Sequence, residues 1–222
     1  MRHRNTDVIL SEAKDLLTCL LMLAITGTVA CGPKVGSLTG TIAPARLPNT
    51  ELPSVNQRIR FTWNYSDLDV RGRGDGVARV APPDSVRLDL FLQGGTTGGR
   101  ALLIDHELRA PGGPMVRSYL PPPPMLWAAL GRLHIPATTD TAVRVDGDTL
   151  RADIGHDPRW RVTFVGRDLR RLELIQGDRL QQWVERTPER KVTYRHLRAN
   201  RALELNIVRV DTVAGFDATI WR

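Results

Sequence analysis

Residues 58–65 read RIRFTWNY, and their alternation sets the fold class. Ile59, Phe61, Trp63 and Tyr65 share one face of an extended chain, while Arg58, Arg60, Thr62 and Asn64 share the other. Successive side chains of a strand point to opposite faces, so this period of two puts the aromatic set on a core or cavity and the polar set in water. VRLDLFLQ (86–93) repeats the pattern through Val86, Leu88, Leu90 and Leu92, and Trp160, Val162 and Phe164 repeat it against Arg161 and Thr163. Leu172 and Leu174 flank Glu173, after which Gln176-Gly177-Asp178-Arg179 supplies a hairpin turn. LQQWVER (180–186), KVTYRHL (191–197), ALELNIVRV (202–210) and FDATIWR (216–222) read as further strands, and Asp146-Gly147 joins AVRV (142–145) to TLRADI (149–154). About ten to eleven short strands follow, with no strand–helix–strand alternation, which predicts an antiparallel meander.

One segment breaks the pattern. Pro121 to Pro124 lead into MLWAALGRL (125–133), where Ala128 and Ala129 favour helix and Gly131 can end it. The spacing predicts a helix over 125–131. Met125, Leu126, Trp127 and Leu130 leave it apolar on every side, so it must be inserted into something. RGRGDG (71–76) precedes VARV and two prolines rather than a helix, so it is no dinucleotide or phosphate loop and is expected to be a bend or bulge.

The start of the chain carries an address. LLTCLLMLAITGTVA (16–30) is an apolar run of 15 residues that ends in small side chains directly before Cys31. As a helix it would span about 22 Å, short of the roughly 30 Å hydrocarbon core, which fits a secretory segment better than a permanent span. Arg2, Arg4 and Lys14 are balanced by Asp7, Glu12 and Asp15, where export signals normally start positive; a misassigned start would explain this. The competing reading is a buried helix with an ordinary core cysteine. Thr28-Val29-Ala30-Cys31 resembles a bacterial lipobox, which implies cleavage before Cys31, acylation there, and, with Gly32 following, residence in the outer membrane facing the periplasm. The expected organisation is a cleaved signal (1–30), a lipidated N-terminus and flexible Pro/Gly-rich tether (31–55), and one β-domain (56–222).

Composition narrows the function. The chain has 222 residues, 31 Lys+Arg against 24 Asp+Glu, a net charge of +7 and two cysteines. That excludes a disulfide scaffold and a cysteine-rich metal or cluster site. The arginines are spread over polar strand faces, as at Arg58/Arg60 and Arg159/Arg161, rather than gathered in a stripe, so no nucleic-acid partner is expected. The histidines at 3, 106, 134, 156 and 196 show no metal-ligand spacing. There is no G-x-S-x-G, and Ser37, Ser54, Ser66, Ser85 and Ser118 lack a nucleophile context. Asp146 and Asp148 sit in a turn, and Asp105 and Glu107 are expected to share a solvent-facing strand face. Neither an enzyme nor a cofactor or metal site is expected.

IRFTW (59–63), the Gly-Arg-Gly-Asp-Gly stretch before VARVAPPDSVRLDLFL (77–92), and PPPPMLWAALGRLHIP (121–136) together resemble the LolA/LolB superfamily of bacterial lipoprotein-localisation factors. The resemblance covers roughly 56–222 and implies a mainly β, antiparallel, incomplete (half) β-barrel with a short capping helix. It also implies binding of acyl chains of lipids or lipoproteins, which with the lipobox-like address gives a lipid-anchored outer-membrane protein, expected to be a monomer. The period-two positions and the helix then nominate a cavity lined by Phe61, Trp63, Leu88, Leu90, Met125, Trp127, Leu130, Trp160, Phe164 and Leu174. The same residues could instead pack into a dry core, leaving an envelope interaction or sensor module; a periplasmic hydrolase is the third reading. The address makes the first prediction: Cys31→Ser leaves an unprocessed precursor that takes up no palmitate analogue, read by mobility shift and metabolic labelling.

Overall fold

The computed structural model describes residues 32–94, 97–111, 117, 119–138 and 140–221. The expected signal at 1–30 and the anchor at Cys31 lie outside the described residues. Thirteen strands among the described residues form one sheet in which every ladder is antiparallel: β1 (Thr41–Ala43), β2 (Asn56–Ser66), β3 (Arg71–Ala81), β4 (Ser85–Leu92), β5 (Thr97–Ile104), β6 (Glu107–Arg109), β7 (Thr141–Asp146), β8 (Thr149–Ile154), β9 (Arg159–Val165), β10 (Asp168–Gln176), β11 (Arg179–Arg186), β12 (Lys191–His196) and β13 (Arg201–Val213). The spatial order is β1-β7-β8-β9-β10-β11-β12-β13-β2-β3-β4-β5-β6. The chain meanders outward from β2 to one edge at β6, crosses to the other side, and meanders back from β7 until β13 pairs with β2. β1 and β6 remain the two edges, so the barrel is incomplete.

This topology fixes the helix. The crossing segment must travel from one edge of the sheet to the other, and it carries α1 (Pro123–Ala129). The helix starts two residues earlier than the sequence predicts because proline fits the first helical positions, where its missing N–H has no partner to lose. It ends at Ala129, two residues short of the predicted 131, and Gly131 terminates it from just beyond the cap with a φ of +91° that few other residues tolerate. The Gly131 amide donates to the Ala128 carbonyl (3.0 Å) and the Arg132 amide to that of Trp127 (3.0 Å), a Schellman termination. Leu126 and Trp127 face a cluster built on β2–β6, while Met125 and Ala128 face a second cluster built on β7–β12. Leu203, Leu205 and Ile207 of β13 pack against both. An apolar surface on every side is what this wedge between two clusters requires.

Three sequence expectations change. Residues 32–55 are not a free tether: the Leu180 amide donates to the Pro33 carbonyl (3.0 Å), the Val35 amide to that of Asp178 (2.9 Å), and β1 pairs with β7. Part of this leader caps the β10–β11 hairpin, and β1 takes up the backbone groups that β7 would otherwise leave unpaired at the sheet edge. The expected strand at 216–222 is absent over its described residues, 216–221; Ala218–Trp221 forms a 3₁₀ turn because the Asp217 carboxylate accepts from the Thr219 amide (2.8 Å) and hydroxyl (2.7 Å). The glycine run is not a bend. It is the first half of β3, in unbroken register with β2.

That register pairs Phe61 with Gly76, Trp63 with Gly74 and Tyr65 with Gly72. The aromatic row of β2 lies over a row of positions without side chains. A Cβ at Gly76 would strike the Phe61 ring, and one at Gly72 would sit 3.2 Å from the Trp63 indole. The outer faces carry arginines in ion pairs: Asp89 meets Arg79 and Arg100 (3.7 Å) across the neighbouring strands and Arg87 (2.9 Å) along its own, and Asp153 meets Arg161 (2.7 Å) and Arg159 (3.6 Å) on the next strand. Gly74 is held from its other side by backbone: a Cβ there would strike the Phe91 carbonyl and lie 3.1 Å from Leu92 Cα. Gly74→Ala therefore has no flexible neighbour to displace and lowers stability by about 1–3 kcal/mol in urea unfolding. Gly36→Ala, with open space around its Cβ, changes it by no more than about 0.5 kcal/mol.

Candidate functional site

The concave face divides into two halves with different packing. On β7–β12, Val162, Phe164, Leu169, Leu172 and Val184 are fully buried against one another and against Met125 and Ala128. On β2–β5 and β13 a cavity of about 340 Å³ remains under α1. It follows from the glycine row. Moving inward along β3, the inward positions grow from Gly72, Gly74 and Gly76 to Ala78 and Val80, so wall volume is missing at the glycine end. Burial along β4 follows the same gradient: Val86 is inaccessible, Leu88 and Leu90 are half-buried, and Leu92 is exposed.

Of the residues nominated from sequence, Phe61, Trp63, Leu88, Leu90 and Leu130 line this cavity. The other five do not. Trp160 and Phe164 point to the concave side but pack in the filled half, with Leu174 against them. Met125 is held there on its own side of the wedge. Trp127 is fully buried in the first cluster, and its indole N–H donates to the Asp105 carbonyl (2.7 Å), so it pins α1 instead of walling the space. The sequence reading passed over Tyr65, Tyr119, Leu126 and the inward row of β13, all of which do line it. A signal was present: Gly72, Gly74 and Gly76 themselves recur with period two, like the aromatics they face.

The cavity wall is apolar apart from Arg71 and the polar tips of Trp63, Tyr65 and Tyr119. The Trp63 indole donates to the Asp75 carbonyl (2.9 Å), and the Tyr65 ring contacts that of Tyr119 (4.9 Å between centroids). At the cavity's open end, Val70 and Leu92 are 38% and 41% exposed. The β2–β3 turn beside it is organised by Asp67, whose carboxylate accepts from the Tyr65 hydroxyl (2.6 Å) and from the amides of Asp69 (3.0 Å) and Val70 (2.7 Å). Burial, then the Asp67 contact, pushes the Tyr65 hydroxyl well above its ordinary value. The Tyr65 hydroxyl and the Val70 amide hold the Asp67 carboxyl below the usual carboxylate range.

The structure also assembles Asp105, His106 and His134, which sequence spacing kept apart. Asp105 is in the β5–β6 turn with φ +50°, not on a strand face beside Glu107 as expected. Its Oδ1 lies 2.8 Å from His134 Nε2 and 3.7 Å from His106 Nε2. The two imidazoles stack at 4.0 Å between centroids. Burial, then the neighbouring Arg132, lowers the proton affinity of His134.

No family model and no curated protein matches the sequence. Solved structures do match the fold. A LolA superfamily protein from Nitrosomonas europaea aligns over 78% of this chain and 92% of its own, with a TM-score of 0.54 and 7% identity. A DUF1329 family protein from Desulfovibrio piger aligns over 76% and 90%, with a TM-score of 0.45 and 9% identity. An outer membrane lipoprotein-sorting protein domain from Vibrio parahaemolyticus aligns over 78% and 91%, with a TM-score of 0.43 and 8% identity. The chain has the LolA-like fold: an open antiparallel barrel with a helix across its concave side.

The turn beside the cavity gives a pH prediction. Asp67 has a folded pKa below its unfolded value, so its contribution is complete above about pH 4 and is lost as pH falls through the depressed folded value. Asp67→Ala accelerates exchange of the Val70 amide at neutral pH, whereas the wild-type turn loosens only in acid; hydrogen-exchange NMR reads both.

Proposed function

We propose that this chain is an envelope lipoprotein that holds an acyl chain of a lipid or lipoprotein in the cavity beneath α1, and that Cys31 anchors it in the outer membrane facing the periplasm. The observation that carries the reading is the apolar space of about 340 Å³ left where β3 supplies glycines, within the range of small-ligand pockets. Leucines and aromatics surround it, so binding rests on buried apolar area, about 0.8 kcal/mol per methylene, and tolerates variation in the chain. The exposed end at Val70 and Leu92 offers an entrance, and Arg71, the charged residue in its wall among those described, suits an anionic or carbonyl headgroup. Acceptance and localisation of lipoproteins is the role that the LolA-like fold favours for such a site. The reading is of a binding protein, not an enzyme, and of a monomer.

The alternative, an interaction module on the same fold, draws on the exposed Val208 and Val210 of β13, which are 64% and 45% accessible. One experiment separates the two. The purified chain binds a fluorescent fatty acid or lipopeptide saturably, and Leu90→Glu abolishes this while circular dichroism shows an intact sheet, because a carboxylate in the cavity ionises only at a large desolvation cost. Absence of saturable binding by the wild-type chain removes the carrier reading and leaves the interaction module.

A further inference from the structure

We propose that Asp105, His106 and His134 form a binding site for a divalent transition-metal ion of the zinc class, clipping the exit of α1 to the β5–β6 turn. Two imidazoles and a carboxylate are a common donor set for such ions, with water completing the coordination. Here one donor atom from each residue lies within 4.8 Å of the others. A tetrahedral ion with bonds of about 2.0–2.1 Å needs its donors roughly 3.3–3.5 Å apart. The carboxylate-to-imidazole separations of 2.8 and 3.7 Å bracket that spacing. The stacked rings must turn so that their lone pairs converge, and the burden falls on His106, whose side chain is 51% exposed. His134 is the fixed member, 17% exposed and stacked edge-on against Trp127. The Asp105 backbone is fixed as well, since its carbonyl accepts the Trp127 indole N–H.

The site's consequence is mechanical. Asp105 and His106 belong to the turn at the sheet edge, and His134 belongs to the chain leaving α1, so an ion bridging them crosslinks the helix to the sheet beside Trp127. The interaction does not depend on the cavity being a lipid site.

The test uses the 222-residue chain in detergent without a histidine tag. Zn²⁺ is titrated by calorimetry and Co²⁺ by visible absorption, with thermal unfolding followed in parallel. Wild type takes up Zn²⁺, gives four- or five-coordinate Co²⁺ bands, and unfolds at a higher temperature with Zn²⁺. His106→Ala, a substitution at a half-exposed position, weakens binding at least ~100-fold and removes the Zn²⁺-dependent thermal shift. Asp105→Asn and His134→Ala do the same, and His106→Cys restores binding. His156→Ala, which breaks the separate His156–Asp140 pair (3.0 Å), leaves everything unchanged. Equal Zn²⁺ binding by wild type and His106→Ala, or none by either, overturns the proposal, as does an equal loss in His156→Ala.

Discussion

The register between β2 and β3 is the constraint on which the rest of the structure depends. Phe61, Trp63 and Tyr65 are large, and each faces a glycine across the ladder. Large side chains opposite one another would fill the concave face or splay the strands. Glycine opposite an aromatic lets the ring lie across the neighbouring strand, as the Trp63 indole does over Gly72 and the Phe61 ring over Gly76. The aromatic rings thereby cover backbone that would otherwise be bare. The space they leave toward Leu88 and Leu90 becomes the cavity.

The helix answers the same geometry from the other side. The half-barrel of thirteen described strands exposes a broad concave apolar face, and β1 and β6 do not meet to close it. Because β6 and β7 stand near opposite edges, the segment that joins them must cross that face. α1 uses the crossing to bury Met125, Leu126, Trp127 and Ala128 in two clusters at once. On the β7–β12 side its fit is dry, with Val162, Phe164 and Leu172 inaccessible. On the β2–β5 side it rests on Trp127 and leaves space beside Leu126, Ala129 and Leu130. The two halves of one sheet therefore do different work, one supplying stability and the other a candidate binding site.

Electrostatics follow from the sheet instead of directing it. Arg87, Arg161 and Arg171 sit on outward positions beside Asp89, Asp153, Glu173 and Glu185. Such partly exposed pairs contribute little individually, about 0–1 kcal/mol each, but neighbouring strands hold them at matching registers. The charge is spread over many strand faces, which is the opposite of the concentrated stripe that nucleic acid requires.

The sequence by itself determined the antiparallel meander, the helix between two strand sets and the inward rows of Ile59–Tyr65, Val86–Leu92 and Trp160–Phe164. All of these are local periodicities, and period two or a proline–glycine bracket survives without knowledge of neighbours. It also contained the glycine row, but glycine is ambiguous in a linear reading: the same residues mark a bend or make room for a facing ring. Which of these applies depends on the strand paired alongside, so the tertiary structure decided it. The fate of the two tryptophans Trp63 and Trp127 was settled in the same way. Each stands at an inward apolar position in sequence, yet one walls the cavity and the other pins the helix through Asp105. His106 and His134 met only because the β5–β6 turn and the exit from α1 converge at one sheet edge. Periodicity says which way a side chain faces; the partner it finds there is a property of the folded sheet.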